Sequence, residues 1–524
     1  MNTCDVAIVG AGSVGAAAAL AFARAGRRVA LIDPRPAAEP GGGKPLAPDD
    51  WDARVFALSL ASMKLLQSLG VWERLDAERL APVHDMRLFH DQDGGDAQES
   101  LRLEAFQGNI ETLATIVEGR NLQQALDVAV ADAARSLPLQ RVQGSVSSLV
   151  LPAQADGRTP ARLTLSDGQG WEAGLVVAAD GARSALRELA GLSVTVRDYG
   201  QTAVVANFDS SLPTRDAAWQ WFDGDLGVMA LLPLTAIGRP AGQGRVSLVW
   251  SAPTDWAQAL LEMPADELAR QVAAQARGAL GNLRCITPAA SFPLRSVSCA
   301  RVIAPAFAMI GDAAHVVHPM AGQGMNLGFG DVQALAEALL GGEARWSHGH
   351  PSWLALRRYE RARREPVATM QALMTGLHQV FGPALPPPLA KTQVEGTHFP
   401  HGDELPPPPA AITDAVVREA EAIEGIELTS ASTSSHALVT IEVTPLEEMT
   451  SGKLCAQAAH AAQLAWQSPA MPSTTRAAWA AQDYRVRVVF PTPDAWAAAA
   501  RPVSVMDAGF TELDGPAETA RAVW

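Results

Sequence analysis

A glycine-rich turn near the N-terminus constrains the fold of this chain more than any other feature. The turn, Gly10-Ala11-Gly12-Ser13-Val14-Gly15, follows a short apolar run at 5–9 and opens an alanine-rich segment with helical character at 13–25. A second apolar run at 28–32 completes a strand–helix–strand unit of about 30 residues. A tight glycine turn in this setting predicts a Rossmann-like domain that binds a dinucleotide.

Each glycine of such a turn has its own expected task. Gly10 allows the tight turn, Gly12 lets the backbone approach a pyrophosphate, and Gly15 lets helix and strand pack closely. The helix that starts at Ser13 offers free N–H groups to the phosphates. Asp33 ends the second strand, where its carboxylate can hold ribose hydroxyls. These residues alone leave the choice between FAD and NAD open.

Three later motifs bear on that choice. They are Asp52-Ala53-Arg54 with Ala57-Leu58-Ser59, Asp180-Gly181 directly after an apolar run, and a long stretch from Ile310-Gly311-Asp312-Ala313-Ala314-His315 through His318-Pro319-Met320-Ala321 to Gly322-Gln323-Gly324-Met325-Asn326-Leu327-Gly328. In these motifs the chain resembles the FAD-dependent aromatic hydroxylases, and most closely the ubiquinone-biosynthesis hydroxylase family, over residues 1–380.

The resemblance implies FAD as the cofactor and assigns a set of residues to it. We expect Asp312 to bind a ribitol hydroxyl, Arg54 to lie beside the flavin, and Arg120 to help hold FAD. His318 and Pro319 are the expected catalytic pair near the ring. The complete expected cofactor set is Gly10, Gly12, Ser13, Gly15, Asp33, Arg54, Arg120, Asp180, Gly181, Asp312, Gly322, Gln323, Gly324, Met325 and Asn326.

The same resemblance implies the chemistry. NAD(P)H would reduce the flavin, O2 would react with the reduced flavin, and a hydroxyl group would pass to an electron-rich, prenylated phenol of ubiquinone-type biosynthesis. The chain has no second strand–helix glycine motif, so we expect NAD(P)H to visit without a domain of its own. An FAD-dependent reductase of a prenyl lipid is the alternative. A halogenase is disfavoured because Trp219-Gln220-Trp221-Phe222 lacks the WxWxIP pattern.

Several side chains near these motifs keep two interpretations. His318 either relays protons or anchors its turn through a hydrogen bond to the backbone, and His315 is equally ambiguous. Trp219 and Trp221 either line a substrate cavity or pack within an ordinary sheet. Asp180, Asp312, Arg54 and Arg120 could each be turn residues or surface charges when taken singly.

The rest of the chain predicts an α/β fold in several parts. We expect a Rossmann-like FAD-binding domain at 1–198 and 295–381, with an inserted, mainly β substrate domain at 199–294. Helices are expected at 59–80, 118–134, 326–340 and 353–378, the last kinked or divided at Pro366. A proline-rich linker at 382–410 leads to a small α/β domain at 411–524.

The C-terminal part resembles the type 2 peptidyl-tRNA hydrolases in two motifs. These are Ser451-Gly452-Lys453 with the following Ala/Gln/His run, and Asp507-Ala508-Gly509-Phe510-Thr511-Glu512. The resemblance implies an active constellation of Lys453, Asp507 and Thr511. However, residues 411–524 carry 7 Lys and Arg against 14 Asp and Glu, a balance of −7 that disfavours tRNA. The few residues after Thr519 also leave little room for a last strand, so a binding or vestigial module is the competing interpretation.

Composition sets the remaining expectations. The formal net charge of −15 disfavours nucleic acid as a partner. The four cysteines have no CxxC or His-rich spacing, so neither a metal site nor a disulfide framework is expected, and a reducing cytoplasm fits. A lipid-like substrate would also be consistent with peripheral binding at the inner membrane or with a ubiquinone-biosynthesis complex.

Overall fold

A computed structural model describes residues 1–39, 46–47, 49–90, 98–107, 110–318, 322–340, 346–347, 349–381, 439–443, 486–489, 503–507 and 517–523. The chain divides into two compact units, Met1–Val394 and Glu395–Trp524. The first elements of the first unit are β1 (Asn2–Val9), α1 (Ser13–Arg24), β2 (Val29–Asp33), β3 (Val55–Leu58), α2 (Leu60–Ser68), β4 (Ala81–Val83), β5 (Asp85–His90), β6 (Gln98–Glu104), β7 (Ala114–Glu118), α3 (Gly119–Ala133), β8 (Leu139–Gln143), β9 (Val146–Val150), β10 (Ala161–Leu165) and β11 (Gly170–Ala178).

The unit continues with a long strand and returns to helices at its end. The elements are α4 (Ala185–Leu189), β12 (Val194–Ser210), β13 (Ala217–Asp223), β14 (Gly227–Leu234), β15 (Gly244–Pro253), α5 (Thr254–Glu262), α6 (Ala265–Gln275), β16 (Leu283–Cys285), β17 (Ala290–Cys299), β18 (Ile303–Ala304), β19 (Phe307–Met309), β20 (His315–Val316), α7 (Gly324–Leu340), β21 (Trp346–Ser347), β22 (His350–Pro351) and α8 (Trp353–Phe381).

The expected Rossmann-like sheet is present. β8, β2, β1, β11 and β19 are neighbours and run parallel, while β10 and β9 add antiparallel strands beside β11. Every residue of β2 is buried, as a strand covered on both faces requires. The fully buried alanines 16–19 show why α1 is alanine-rich, because short side chains let it lie close to the sheet.

The predicted helix at 59–80 is wrong in its second half. α2 ends at Ser68, and two short 3-10 turns at Trp72–Arg74 and Ala77–Arg79 lead into β4. Gly70 has a φ of +62°, and the Val71 N–H bonds the Leu66 carbonyl at 2.9 Å. This is the way a left-handed glycine ends a helix, and the apolar periodicity around it did not reveal the stop.

The central β-rich region forms a large mixed sheet in the order β20-β17-β12-β15-β14-β13-β5-β6. β5 and β6 lie far earlier in the chain than 199–294 and join through a parallel pairing of β5 with β13. One face of the sheet packs on α5 and α6, which the sequence did not predict. The other face contacts the small β3-β7-β4 sheet of the flavin-binding part.

The last helix of the first unit is longer than expected and undivided. α8 continues through Pro366 to Phe381. Proline removes one backbone donor, but a long helix can tolerate this single loss. No helix among the described residues is long and apolar enough to cross a membrane.

The described part of the second unit is a four-stranded sheet. Its strands are β23 (Val439–Val443), β24 (Val486–Val489), β25 (Val503–Asp507) and β26 (Ala517–Val523) in the order β24-β23-β26-β25. The expectation that no room remained for a last strand is wrong, because β26 pairs with both β23 and β25. Linker residues 382–410 lie outside the described residues.

Candidate flavin site

The glycine turn after β1 meets the Asp180 motif at the end of β11. Gly10 has a φ of +104°, and a Cβ there would lie 2.3 Å from the Ala179 carbonyl oxygen. A Cβ on Gly15 would lie 1.9 Å from the Gly10 carbonyl oxygen. Gly15 thus allows the close packing predicted for it, and the positive φ of Gly10 fits its predicted tight turn. The close approach of Gly10 to the Ala179 carbonyl was not predicted.

Gly12 and Gly324 differ from these two glycines because their missing side chains face open space. Gly12 is the residue before α1 and Gly324 is the first residue of α7, and a Cβ on either would meet no atom within 4 Å. The two helices cross closely, since a Cβ on Gly328 would lie 2.6 Å from Val14 and 3.4 Å from Gly311. Two helix N-termini thus adjoin beside an open surface, an arrangement suited to phosphate and flavin oxygens.

Asp33 lies where the sequence placed it, at the end of β2, but its carboxylate already has protein partners. One oxygen accepts the Ala11 N–H at 2.7 Å and the other accepts from Arg35 at 2.9 and 3.0 Å. Burial raises the pKa of Asp33, but the Ala11 N–H and Arg35 outweigh it and hold that pKa below its usual range. Asp33 therefore fixes the glycine turn, and its contact with ribose stays a prediction.

Ser13 also bonds within the protein. Its hydroxyl donates to the Gln123 side chain at 3.2 Å, and Gln123 donates in turn to the Ala11 carbonyl at 3.0 Å. Gln123, on α3, was not selected from the sequence. Together with Asp33 it ties the glycine turn to two neighbouring elements.

The two later carboxylates, Asp180 and Asp312, are less committed. One oxygen of Asp180 accepts the Leu186 N–H at 3.1 Å, and the other is buried without a hydrogen-bond partner. The adjoining Gly181 has a φ of +85°, which explains the glycine. Asp312 is partly open to solvent, yet burial of its carboxyl raises its pKa, and the nearby charges of His315 and Arg54 act in the opposite direction. Asp312 is thus available to bind a hydroxyl group.

The two arginines assigned by resemblance are both exposed. The Arg54 guanidinium lies over the Phe56 ring at 5.1 Å. Arg120 forms a two-pronged ion pair with Asp50 at 2.7 and 2.8 Å, and its backbone N–H binds Asp52 at 2.9 Å. The pKa of the Asp50 carboxyl is lowered by this hydrogen bond. Arg120 thus organises the Asp50–Asp52 segment, and its contact with FAD stays a prediction.

Asn326 connects α7 to the β3–α2 corner. Its amide nitrogen donates to the Ala57 carbonyl at 2.9 Å and to Gln323 at 3.1 Å. Its amide oxygen accepts from the Ser59 N–H at 3.0 Å and the Ser62 hydroxyl at 2.8 Å. The side chain of Asn326 therefore holds α7 against this corner. Only the backbone of this first helical turn would then contact FAD.

Gly322 and Met325 complete the assigned stretch. Gly322 has a φ of +63°, and a Cβ there would lie 3.3 Å from the Ala57 side chain. Met325 packs against the main core of the flavin-binding part. The turn before α7 therefore packs against β3, whereas Gly324 at the start of the helix faces open space.

His318 is fully buried and contacts strand β12 of the large sheet. Its Nε2 lies 3.1 Å from the side-chain oxygen of Gln201, and the ring meets Tyr199 edge-on with centroids 4.8 Å apart. This hydrogen bond joins two side chains, so the expected backbone anchor is not the contact at Nε2. Pro319 lies outside the described residues.

A charged network that the sequence did not suggest supports the Gly311–Asp312 turn. Asp331, on α7, is completely buried; one oxygen accepts the Gly311 N–H and bonds His315 Nε2, both at 2.7 Å. The other accepts from Arg363, on α8, at 2.6 Å. Burial raises the pKa of Asp331, yet His315 and Arg363 outweigh it and hold the pKa below its usual range. His315 is thus a structural partner within this Asp331 network.

Trp219 and Trp221 lie on the face of the large sheet that packs on α5 and α6. Trp219 and Trp221 stack on Phe89 with centroids 5.8 and 5.5 Å apart, and both pack into the core formed with α5 and α6. Packing within the sheet is therefore the role that the structure supports. The opposite face, which carries Leu232 and Leu234, contacts β3, β4 and β7 near the flavin site.

The residues proposed for the second unit cannot be compared in the same way. Lys453 and Thr511 lie outside the described residues, and Asp507 is the last residue of β25. Their constellation stays a prediction. Within the described ranges, no group of three or more His, Cys, Asp or Glu could hold a metal ion.

Comparison with known proteins supports the predicted FAD-binding domain in the first unit. The family model for the FAD binding domain matches residues 3–373. Ubiquinone hydroxylase UbiL of Rhodospirillum rubrum is 34% identical over 390 residues, covering 74% of this chain and 83% of the relative. The 3-demethoxyubiquinol 3-hydroxylase of Escherichia coli is 33% identical over 386 residues, covering 73% and 91%.

Solved structures support the fold. PqsL of Pseudomonas aeruginosa, in complex with 2-aminobenzoylacetate, has a TM-score of 0.58 at 21% identity, covering 72% of this chain and 97% of that one. The p-nitrophenol 4-monooxygenase PnpA of Pseudomonas putida has a TM-score of 0.54 at 18% identity, covering 72% and 89%. These likenesses confirm the mixed α/β architecture predicted from the glycine turn and the β-rich insertion.

Proposed function

The chain belongs to the FAD-binding-domain family and, within it, to the ubiquinone-biosynthesis hydroxylases, and from this premise we propose that it hydroxylates a prenylated phenol with NAD(P)H and O2. The observation that carries the proposal is the pair of adjoining open helix starts at Gly12 and Gly324. Beside them the partly solvent-accessible Asp312 carboxylate offers an acceptor to a ribitol hydroxyl. This arrangement fits FAD, and FAD when bound supplies the oxidising chemistry.

The protein's own residues have three tasks in this proposal. The helix starts at Gly12 and Gly324 present N–H groups to phosphate and flavin oxygens. The Asp331 network holds the Gly311–Asp312 turn in place. We expect the large sheet to cover the site and exclude water, and Gln201 on its strand β12 bonds the buried His318.

The substrate class follows from the relatives rather than from the fold. Two relatives above 30% identity are named for ubiquinone or demethoxyubiquinol hydroxylation. A lipid-like phenol suits the apolar face that the sheet turns toward the flavin-binding part. Such a substrate also supports peripheral binding at a membrane, which fractionation of cells expressing the full chain would test.

The decisive experiment measures oxygen uptake by the full chain loaded with FAD. With NAD(P)H and a prenylated phenol, we expect phenol-dependent O2 consumption and a product that carries one labelled atom from ¹⁸O2. Consumption of NAD(P)H with reduction of a prenyl chain and without oxygen uptake would instead establish the reductase.

For the second unit we propose a separate activity on peptidyl-tRNA. The observation in its favour is β26, which supplies the last strand that the sequence had seemed to lack. The acidic balance of this region opposes tRNA binding, so the test must be direct. Release of the free peptide from tRNA by the full chain, abolished by Lys453→Ala, is the expected result; equal rates in the two proteins would contradict it.

A further inference from the structure

Two polar side chains face each other on one side of the large sheet, between the Val205–Val249 pair and the buried Asp209–Arg245 ion pair. Asn207 on β12 and Ser247 on β15 are register partners, and both are completely buried. We call them the polar pair. They alternate with the core residues that face α5 and α6, so they lie on the face turned toward the flavin-binding part.

Each member of the polar pair has an oxygen atom without a hydrogen-bond partner. The Asn207 side chain donates its Nδ2 to the Asp52 carbonyl at 2.8 Å, but its Oδ1 is buried and unpartnered. The Ser247 Oγ is buried and unpartnered as well. The Asp52 contact fixes the amide orientation, because a flipped amide would set Oδ1 against a carbonyl oxygen.

Packing alone does not account for these two side chains. Buried polar groups in folded proteins are nearly always paired, and an unpaired one destabilises the fold. Valine stands next along the same face of both strands, at Val205 and Val249, and would fill such a position without that cost. An unpartnered acceptor and an unpartnered hydroxyl on neighbouring strands are both available to a bound ligand.

The position of the polar pair relates it to the flavin site. Asn207 bonds Asp52, and the chain continues from there through Arg54 into β3. In β3, Ala57 lies beside Gly322 in the turn before α7. Through Asn207, the polar pair therefore contacts the segment that leads from Asp52 into β3.

We propose that the polar pair binds the phenolic hydroxyl of the substrate. The Asn207 Oδ1 accepts the phenol O–H, and the Ser247 hydroxyl donates to the phenol oxygen. The pair thus orients the ring, while neighbouring valines contact its apolar parts. This inference rests on the proposed function and makes Asn207 and Ser247 specificity-determining residues for it.

The test compares two ligands on the FAD-loaded full chain. Dissociation constants of 2-geranylphenol and geranylbenzene, which lacks only the hydroxyl, are measured from the change in flavin absorbance. We expect the wild type to prefer the phenol roughly tenfold, the factor for one net hydrogen bond in a buried site. Ser247→Ala should reduce this preference, because only the Asn207 acceptor remains, and should bind geranylbenzene as the wild type does.

The matched control is Trp219→Phe. In the wild type, the indole N–H of Trp219 is also buried and unpartnered, but Trp219 belongs to the opposite face of the same sheet. The variant should keep the full preference for the phenol. Equal binding of the two ligands by the wild type, or an unchanged preference in Ser247→Ala, would overturn the inference. If the wild type hydroxylates the phenol in either of those cases, the proposed function survives; if it binds and oxidises no phenol, both fall.

Discussion

The Asp331 network and the polar pair are equally deep in the same unit, yet their hydrogen bonding differs. Both oxygens of Asp331 are used, by Gly311, His315 and Arg363. In the polar pair, Asn207 and Ser247 each keep an oxygen without a partner. A satisfied network fixes the backbone at one position, whereas an unsatisfied one is complementary to something outside the chain. Substitutions should separate these two roles.

The largest effect is expected from Asp331→Ala. The substitution leaves the Gly311 N–H without an acceptor and the nearly buried Arg363 without its carboxylate partner, so that the guanidinium keeps only the Leu327 carbonyl. Removing one partner of a buried ion pair costs about 3–5 kcal/mol. Urea unfolding should show this loss, and the purified protein should contain little FAD. Asp331→Asn, which keeps the shape, should lose less; a variant with alanine that keeps wild-type stability and flavin would show that the network is dispensable.

The glycines of the first turn allow the same comparison at the level of the backbone. Gly15→Ala places a Cβ against the Gly10 carbonyl and should destabilise the fold by roughly 1–3 kcal/mol. Gly12 has an ordinary φ of −65° and open space around it, so Gly12→Ala should fold normally. Its FAD affinity, measured by flavin fluorescence, should still fall. Unchanged FAD affinity in Gly12→Ala would remove the open helix start from the site.

The Asp331 network should also respond to acid. The folded pKa of Asp331 lies below its unfolded value of about 3.9, so its stabilising contribution is complete above that pH. The contribution is lost as the pH falls through the folded pKa. The stability difference between wild type and Asp331→Asn should therefore shrink as the pH falls below about 4, compared with its value at about pH 5. If this stability difference instead grew toward acid pH, the folded pKa of Asp331 would lie above its unfolded value.

The sequence predicted the parts of this site that are local in the chain. The glycine turn, Asp33 at the strand end and the start of α7 follow from spacing and periodicity. The Asp331 network joins α7, α8 and the Gly311 turn, and the polar pair joins strands 40 residues apart in the numbering. Nothing in the local pattern around Asp331 or Ser247 distinguishes a bonded side chain from an unbonded one, because that depends on register and tertiary contact.

The same limit explains the errors in the fold. The stop of α2 depends on one left-handed glycine, Gly70, within a run whose apolar spacing continues. The pairing of β5 with β13 brings residues near 85 into a sheet expected only after 199. Such long-range pairing depends on which edges become adjacent after the parallel sheet has formed.

The smallest expected change is the most specific. Ser247→Ala removes a buried hydroxyl that bonds nothing among the described residues, so the stability of the free protein should be unchanged or higher by up to about 1 kcal/mol. Ser62→Ala is the matched control, since Ser62 is equally buried but donates to Asn326 at 2.8 Å. It should lose about 1–2 kcal/mol because the Asn326 oxygen loses a donor. Thermal unfolding of the two variants decides the matter: if Ser247→Ala loses as much as Ser62→Ala, then Ser247 has a partner inside the protein and the contrast with the Asp331 network disappears.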